Sequence, residues 1–230
     1  MLPLFHLAVL SINTFTLWHD QKYVDFPFRK EILVLDLPLK RRVLMLTFWG
    51  LTLQTLYFAV ALLNDIIGTN ERSPKKAPFI RKIKDALFSL AFPVALYVTG
   101  AFWTIYAIDK ELIFPEVIAK VIPVWANHVM HTFVSVFITV ELLFAARTYP
   151  SRKVTVSLTF TFILGYLIYL HLSYLKCGVW IYPLLDVLPW HLRTVFFVLS
   201  TLVAMFISIV GEKLDSIVNP KKDNAKHKKR

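Results

Sequence analysis

Six apolar runs of roughly twenty residues, the length that crosses a bilayer as a helix, punctuate the chain near 2–18, 43–63, 86–108, 124–146, 154–175 and 194–211. Short polar or proline-bearing connections separate them, with Pro74, Pro78, Pro115, Pro123, Pro150, Pro183 and Pro189 at the predicted ends. Pro93 is the exception, because it falls inside the third run, where a kink or an irregular helix start is expected. The pattern predicts an all-α polytopic membrane helical bundle of about six transmembrane helices. The first run lacks a basic start and a small-x-small cleavage pattern, so it reads as a retained first helix.

With no internal repeat and no long polar linker, residues 1–214 read as one transmembrane domain and 215–230 as a basic tail. Of the 26 Lys and Arg residues, 16 fall in the 64–85 and 147–153 connections and in the C-terminal end from Lys213 onward, which favours those segments, and both termini, on the cytosolic side. The 19–42 connection carries six of the others and opposes that bias. Lys226 and Lys228 stand where a dilysine signal for return to the endoplasmic reticulum would stand, and a solvated basic end is the competing interpretation. The expected location is the endoplasmic reticulum membrane, with the plasma membrane second.

Hydrophobic residues make up 57% of the chain, which sets aside a water-soluble domain. The net charge of +11 is confined to segments that flank apolar runs, so contact with acidic lipid headgroups explains it better than nucleic acid does. Cys177 is the single cysteine, and no Asn-x-Ser/Thr acceptor occurs.

Chemistry concentrates in the fourth run, "VIPVWANHVMHTFVSVFITVELLF" (121–144). At about 100° per residue, with Asn127 at zero, His131 falls near 40°, His128 near 100° and Glu141 near −40°, so the four share less than half of the circumference. Ionisable residues on one face of a spanning helix point into the bundle or a hydrated cavity. A His-x-x-His pair raises metal binding, but the chain has too few histidines for a membrane di-iron site, and no metal or other cofactor is expected. Hydrogen bonding between helices would account for the stripe equally simply.

For catalysis, the histidine needs a nucleophile to activate. No Gly-x-Ser-x-Gly turn exists, so the hydroxyl must come from another span or from the same one. Thr47 and Gln54 lie on one face of the second run, and spans two and four begin on the same side of the membrane. Spacing leaves Thr47, Thr52, Thr55, Thr132 and Ser135 all open as the hydroxyl.

The segments "LAFPV" (90–94), "FWTIYAIDKELIFP" (102–115), "IPVWANHVMHT" (122–132), "YPS" (149–151), "GVWIYP" (178–183) and "GEKL" (211–214) resemble, in order, the family of androgen-induced and androgen-dependent TFPI-regulating proteins. The likeness spans about 43 to 214. It implies a multi-pass membrane threonine hydrolase that cleaves fatty acid esters of hydroxy fatty acids, with Thr47 as nucleophile and His131 as base. Ala126, where relatives commonly have leucine, and the "TFWGLTLQT" context of Thr47 depart from the pattern and bear on substrate fit. Asn127, His128 and Gln54 are then candidate oxyanion donors, and Lys40, Arg41 or Arg42 a candidate holder for the substrate carboxylate. The expected partners are a lipid ester and the bilayer, without nucleic acid; a non-enzymatic membrane regulator or scaffold, or a transporter using the stripe, are the alternatives.

Overall fold

A computed structural model describes residues 1–35, 37, 39–72 and 74–220. Lys226 and Lys228, and with them the dilysine expectation, lie outside the described residues. The main helices are α1 (Leu2–Tyr23), α2 (Leu46–Ile67), α3 (Phe79–Ile108), α4 (Val124–Phe144), α5 (Arg152–Cys177) and α6 (Trp190–Val218). There are no strands among the described residues. The helices from α2 to α6 are long and apolar enough to cross a membrane, and α1 lies along α2. Six main helices match the expectation, and each end falls within about seven residues of its predicted place. The chain is a multi-pass membrane protein.

Local chemistry explains the boundaries. Pro78, Pro123 and Pro189 each occupy the position before a helix, and Pro3 the first turn of α1, where an absent N–H costs nothing. Helix α5 ends on Gly178, whose φ of +73° is the left-handed cap conformation that a side chain disfavours, and its N–H donates to the Tyr174 carbonyl at 2.7 Å. Helix α3 runs through Pro93 as a single 30-residue helix, with the proline in its interior and the helix start at Phe79.

Helix α3 is the centre of the bundle and packs against α2, α4, α5 and α6. Tyr57, Phe58, Phe88, Phe92 and Ile138 form the main apolar core, and a second cluster around Leu44, Tyr166, Leu170 and Trp180 lies under the connections at the end where α2 begins.

Helix α1 is built the other way round from a soluble amphipathic helix. Its exposed large apolar residues include Leu4, Leu7, Phe15 and Trp18, while its buried line is His6, Val9, Asn13, Thr16 and Asp20. That spacing of three and four is the seam of a coiled coil, with a polar residue at every seventh position. Each polar rung is partnered. His6 contacts Asp65 at 2.7 Å and Glu141 at 2.9 Å, the Asn13 amide donates to Gln54 at 3.2 Å, and Asp20 pairs with Arg42 at 3.0 Å. In the sequence His6 reads as a terminal residue; the structure buries it in a helix, because two carboxylates await it there.

Candidate active site

Thr47 is the second residue of α2. His131 lies in α4 within a π-helical stretch, Val129–Phe133, that interrupts the α-helical ladder. An inserted residue of this kind re-aims the side chains around it and leaves backbone groups to be served from elsewhere. Here the Trp103 indole N–H donates to the His131 carbonyl at 3.0 Å, and the Gln54 amide donates to the Val134 carbonyl at 2.6 Å. Helices α3 and α2 therefore hold the wide turn from both sides.

Within that turn, Thr47 Oγ1 is 3.2 Å from His131 Nε2, and His131 Nδ1 is 3.0 Å from the Asn127 carbonyl oxygen. The proton assignment follows from the carbonyl, which can only accept. Nδ1 must carry the hydrogen, so in the neutral ring Nε2 offers a lone pair to the threonine hydroxyl. The Phe102 ring stacks on the imidazole with centroids 3.6 Å apart and planes 16° apart, fixing its tilt. A hydroxyl facing a correctly tautomerised base is the arrangement that raises an alcohol to a nucleophile.

The turn before Thr47 is braced by two phenols. Leu46 N–H donates to Tyr182 Oη at 2.9 Å, the two tyrosine hydroxyls are 2.8 Å apart, and Tyr166 donates to the Leu44 carbonyl at 3.0 Å. Both hydrogens of the phenols are thereby assigned: Tyr166 gives its own to Leu44, so Tyr182 gives its own to Tyr166. Burial pushes the Tyr182 phenol above its ordinary value, which keeps that hydrogen in place. Among the described residues the Thr47 N–H, in the first helical turn, has no acceptor.

Beside Thr47 runs an apolar groove between α3, α5 and α6, with Phe102, Tyr166 and Tyr182 in its wall. The unfilled space there is ≈ 750 Å³, part of it open to the outside.

The remaining sequence candidates separate. Asn127 is buried, its carbonyl holds His131, and its side-chain oxygen has no partner among the described residues. His128 points to Thr132 Oγ1 at 3.2 Å and stacks near Trp103, away from the direction His131 takes. Gln54 is engaged at both ends of its amide, by Asn13 and by Val134. Lys40 pairs with Asp25 at 2.7 Å, and Arg41 caps the carbonyls of Ile32, Leu33 and Leu35. Arg42 alone of the three basic residues is buried, with Asp20 on Nε and the sulfurs of Met45 and Met130 on its terminal nitrogens. Burial pulls its guanidinium down from the ordinary value, and Asp20 opposes the pull. Glu141 belongs elsewhere: it accepts from Tyr57, faces His6, and lies at the opposite end of the bundle from Thr47.

Sequence reasoning had no signal for the stacking of Phe102 or the two-tyrosine brace. The "FWTIYAIDKELIFP" and "GVWIYP" segments that carry Phe102, Trp103 and Tyr182 stood out only as elements of a resemblance.

Comparison with known proteins agrees with that resemblance. The human androgen-dependent TFPI-regulating protein is 32% identical over 213 residues, covering 92% of this chain and 90% of the relative. The human androgen-induced gene 1 protein is 32% identical over 180 residues, 75% of this chain and 76% of the relative. The mouse androgen-dependent TFPI-regulating protein is 32% identical over 171 residues, 74% of each chain. No solved structure matches. Residues 1–216 match the FAR-17a/AIG1-like protein family, and the chain belongs to that family.

Proposed function

We propose that this protein is a membrane-embedded ester hydrolase in which Thr47 is the nucleophile and His131 the general base. The observation that carries the reading is the Asn127 carbonyl on Nδ1, which leaves the Nε2 lone pair directed at Thr47 Oγ1. As Oγ1 bonds to the ester carbonyl carbon, its proton passes to Nε2. The ester C–O bond then breaks and the departing alkoxide takes that proton, leaving an acyl-threonine. A water gives a proton to the same nitrogen, attacks the acyl carbon, and returns the threonine hydroxyl. The unpartnered Thr47 N–H is the donor at hand for the oxyanion, and Asn127 could add to it only through its amide nitrogen, since its unpaired oxygen accepts.

The substrate class consistent with the groove is an ester with long acyl chains, and fatty acid esters of hydroxy fatty acids fit that description. The protein works in the endoplasmic reticulum membrane on this reading, needs no cofactor, and meets its substrate within the bilayer. Of the three basic candidates for a substrate carboxylate, Arg42 is buried and already held by Asp20, so Lys40 and Arg41 at the surface are the ones that leave the carboxylate near water.

The test is hydrolysis by purified protein together with mapping of the residue labelled by a hydrolase probe. Thr47→Ala should abolish turnover by this route because no acyl-threonine can form, His131→Ala should lower kcat by at least about 10²–10⁴, the range for losing an acid–base group, and the double variant should be no worse than Thr47→Ala alone. Thr47→Ser should keep part of the rate. A folded Thr47→Ala protein hydrolysing at the wild-type rate removes Thr47 from the chemistry.

A further inference from the structure

The groove extends to both sides of the dyad. Phe102 marks the level of His131, on which it stacks. Towards the connections the wall is Ile105, Ile113 and Leu184; into the membrane it is Val98, Tyr97, Ile163 and Ser200. Tyr97 lies about 8 Å below Phe102 along α3, and Ser200 about 6 Å below Phe196 along α6, by helical rise. Tyr97 of α3 and Ser200 of α6 both line the groove at this depth. Further down, the seam is shut: a Cβ added at Gly211 would come within 2.7 Å of the Phe92 ring.

We propose that the deep arm receives the acyl chain of the ester and that the Tyr97–Ser200 pair is its floor, setting the longest chain that fits with its carbonyl at Thr47. The proposal rests on Thr47 as the acylated residue. Its direction follows from solvation. An ester that also bears a carboxylate must keep that group near water, because a charge is costly at depth. The shallow arm leads to the connections, so the uncharged acyl chain takes the other. The floor carries two hydroxyl groups in an otherwise apolar wall, so a chain end that pushed past it would bury them against hydrocarbon, where neither gains a hydrogen bond.

The experiment uses two readouts on the purified full chain: rates on p-nitrophenyl esters of graded acyl length, and displacement of a dansyl fatty acid by unlabelled fatty acids of graded length. Ser200→Trp fills the floor and should lower the long-to-short ratio at least about tenfold in both series, the discrimination typical of a chain that no longer fits. Tyr97→Ala removes the floor and should move both optima to longer chains, so one informative variant remains if the other fails to fold. Unchanged optima in both variants overturn the proposal. If wild type hydrolyses no ester yet the displacement series still shifts, the floor stands and the hydrolase reading falls. Hydrolysis with no shift in either series does the reverse, and absence of both hydrolysis and displacement overturns both.

Discussion

His6 and Glu141 offer a severe test of how much the polar interior stabilises this bundle. Both side chains are 0% exposed, and Nε2 to Oε2 is 2.9 Å. Glu141 also accepts from Tyr57, and the other imidazole nitrogen faces Asp65 at 2.7 Å, so Glu141→Leu leaves His6 half-paired and strands the Tyr57 hydroxyl. Breaking one side of a buried ion pair costs about 3–5 kcal/mol in soluble proteins. Neutral hydrogen bonds between membrane helices average only about 0.6 kcal/mol, with a maximum near 1.7, because helices dispersed in lipid find other partners. Charge and distance in sequence decide between these figures. The two residues are 135 apart, so neither finds the other before the tertiary fold exists. A double-mutant cycle of His6→Leu and Glu141→Leu, measured by equilibrium unfolding in mixed micelles, should therefore give a coupling of about 2–3 kcal/mol, above the neutral maximum. The double variant should then cost about 2–3 kcal/mol less than the sum of the two singles. A coupling at or below about 0.6 kcal/mol would refute the reasoning and reduce the pair to ordinary helix-to-helix bonding.

Other expectations are more local. Gly211→Ala should lower stability by about 1–3 kcal/mol in thermal unfolding, since its Cβ would meet Phe92 at 2.7 Å, whereas Gly50→Ala, at 3.5 Å from Val94 and Val98, should cost less than about 1 kcal/mol. Arg42→Met should destabilise by about 3–5 kcal/mol by stranding Asp20, and adding Asp20→Leu should recover much of that loss in the same assay. A glycosylation acceptor engineered into the 19–42 connection should be used and one in the 64–85 connection should not, as read by a mobility shift; the reverse pattern inverts the orientation. Lys226→Ser with Lys228→Ser should let protein reach later compartments, and an unchanged distribution in fractionated membranes makes that segment only a basic tail.

The helices were legible because lipid imposes one requirement, a long apolar run, and five helices meet it by composition alone. The inward face of the fourth was legible too, since Asn127, His131 and Glu141 are conspicuous among apolar neighbours and all three are buried. Their partners were not. Helical spacing assumes a uniform turn, and the π-helical stretch at Val129–Phe133 breaks that assumption at the histidine itself. Glu141 is matched by a residue near the other end of the chain, a distance over which no periodicity carries information. Lys40, Arg41 and Arg42 are neighbours with the same charge in sequence, yet one binds an aspartate at the surface, one caps a loop, and one is buried against Asp20 and Met130. What distinguishes them is the direction each side chain takes from the 3-10 turn at Arg41–Leu44 and the start it makes for α2.

The polar rungs of α1 also constrain the order in which the protein can be made. A nascent first helix carrying His6, Asn13 and Asp20 along one line has nothing in the bilayer to satisfy them. Their partners emerge from the ribosome in sequence: Arg42 after 22 residues, Gln54 after 41, Asp65 after 59, and Glu141 only after 135. Asp20 and Asn13 can thus be matched as soon as α2 is inserted, while His6 keeps one open face until α4 arrives. Until more than half of the polypeptide has been synthesised, the insertion machinery or water must shelter that end of the helix. A variant that loses Glu141 would then be recognised as unfinished by quality control, even when every helix has reached its proper place across the membrane.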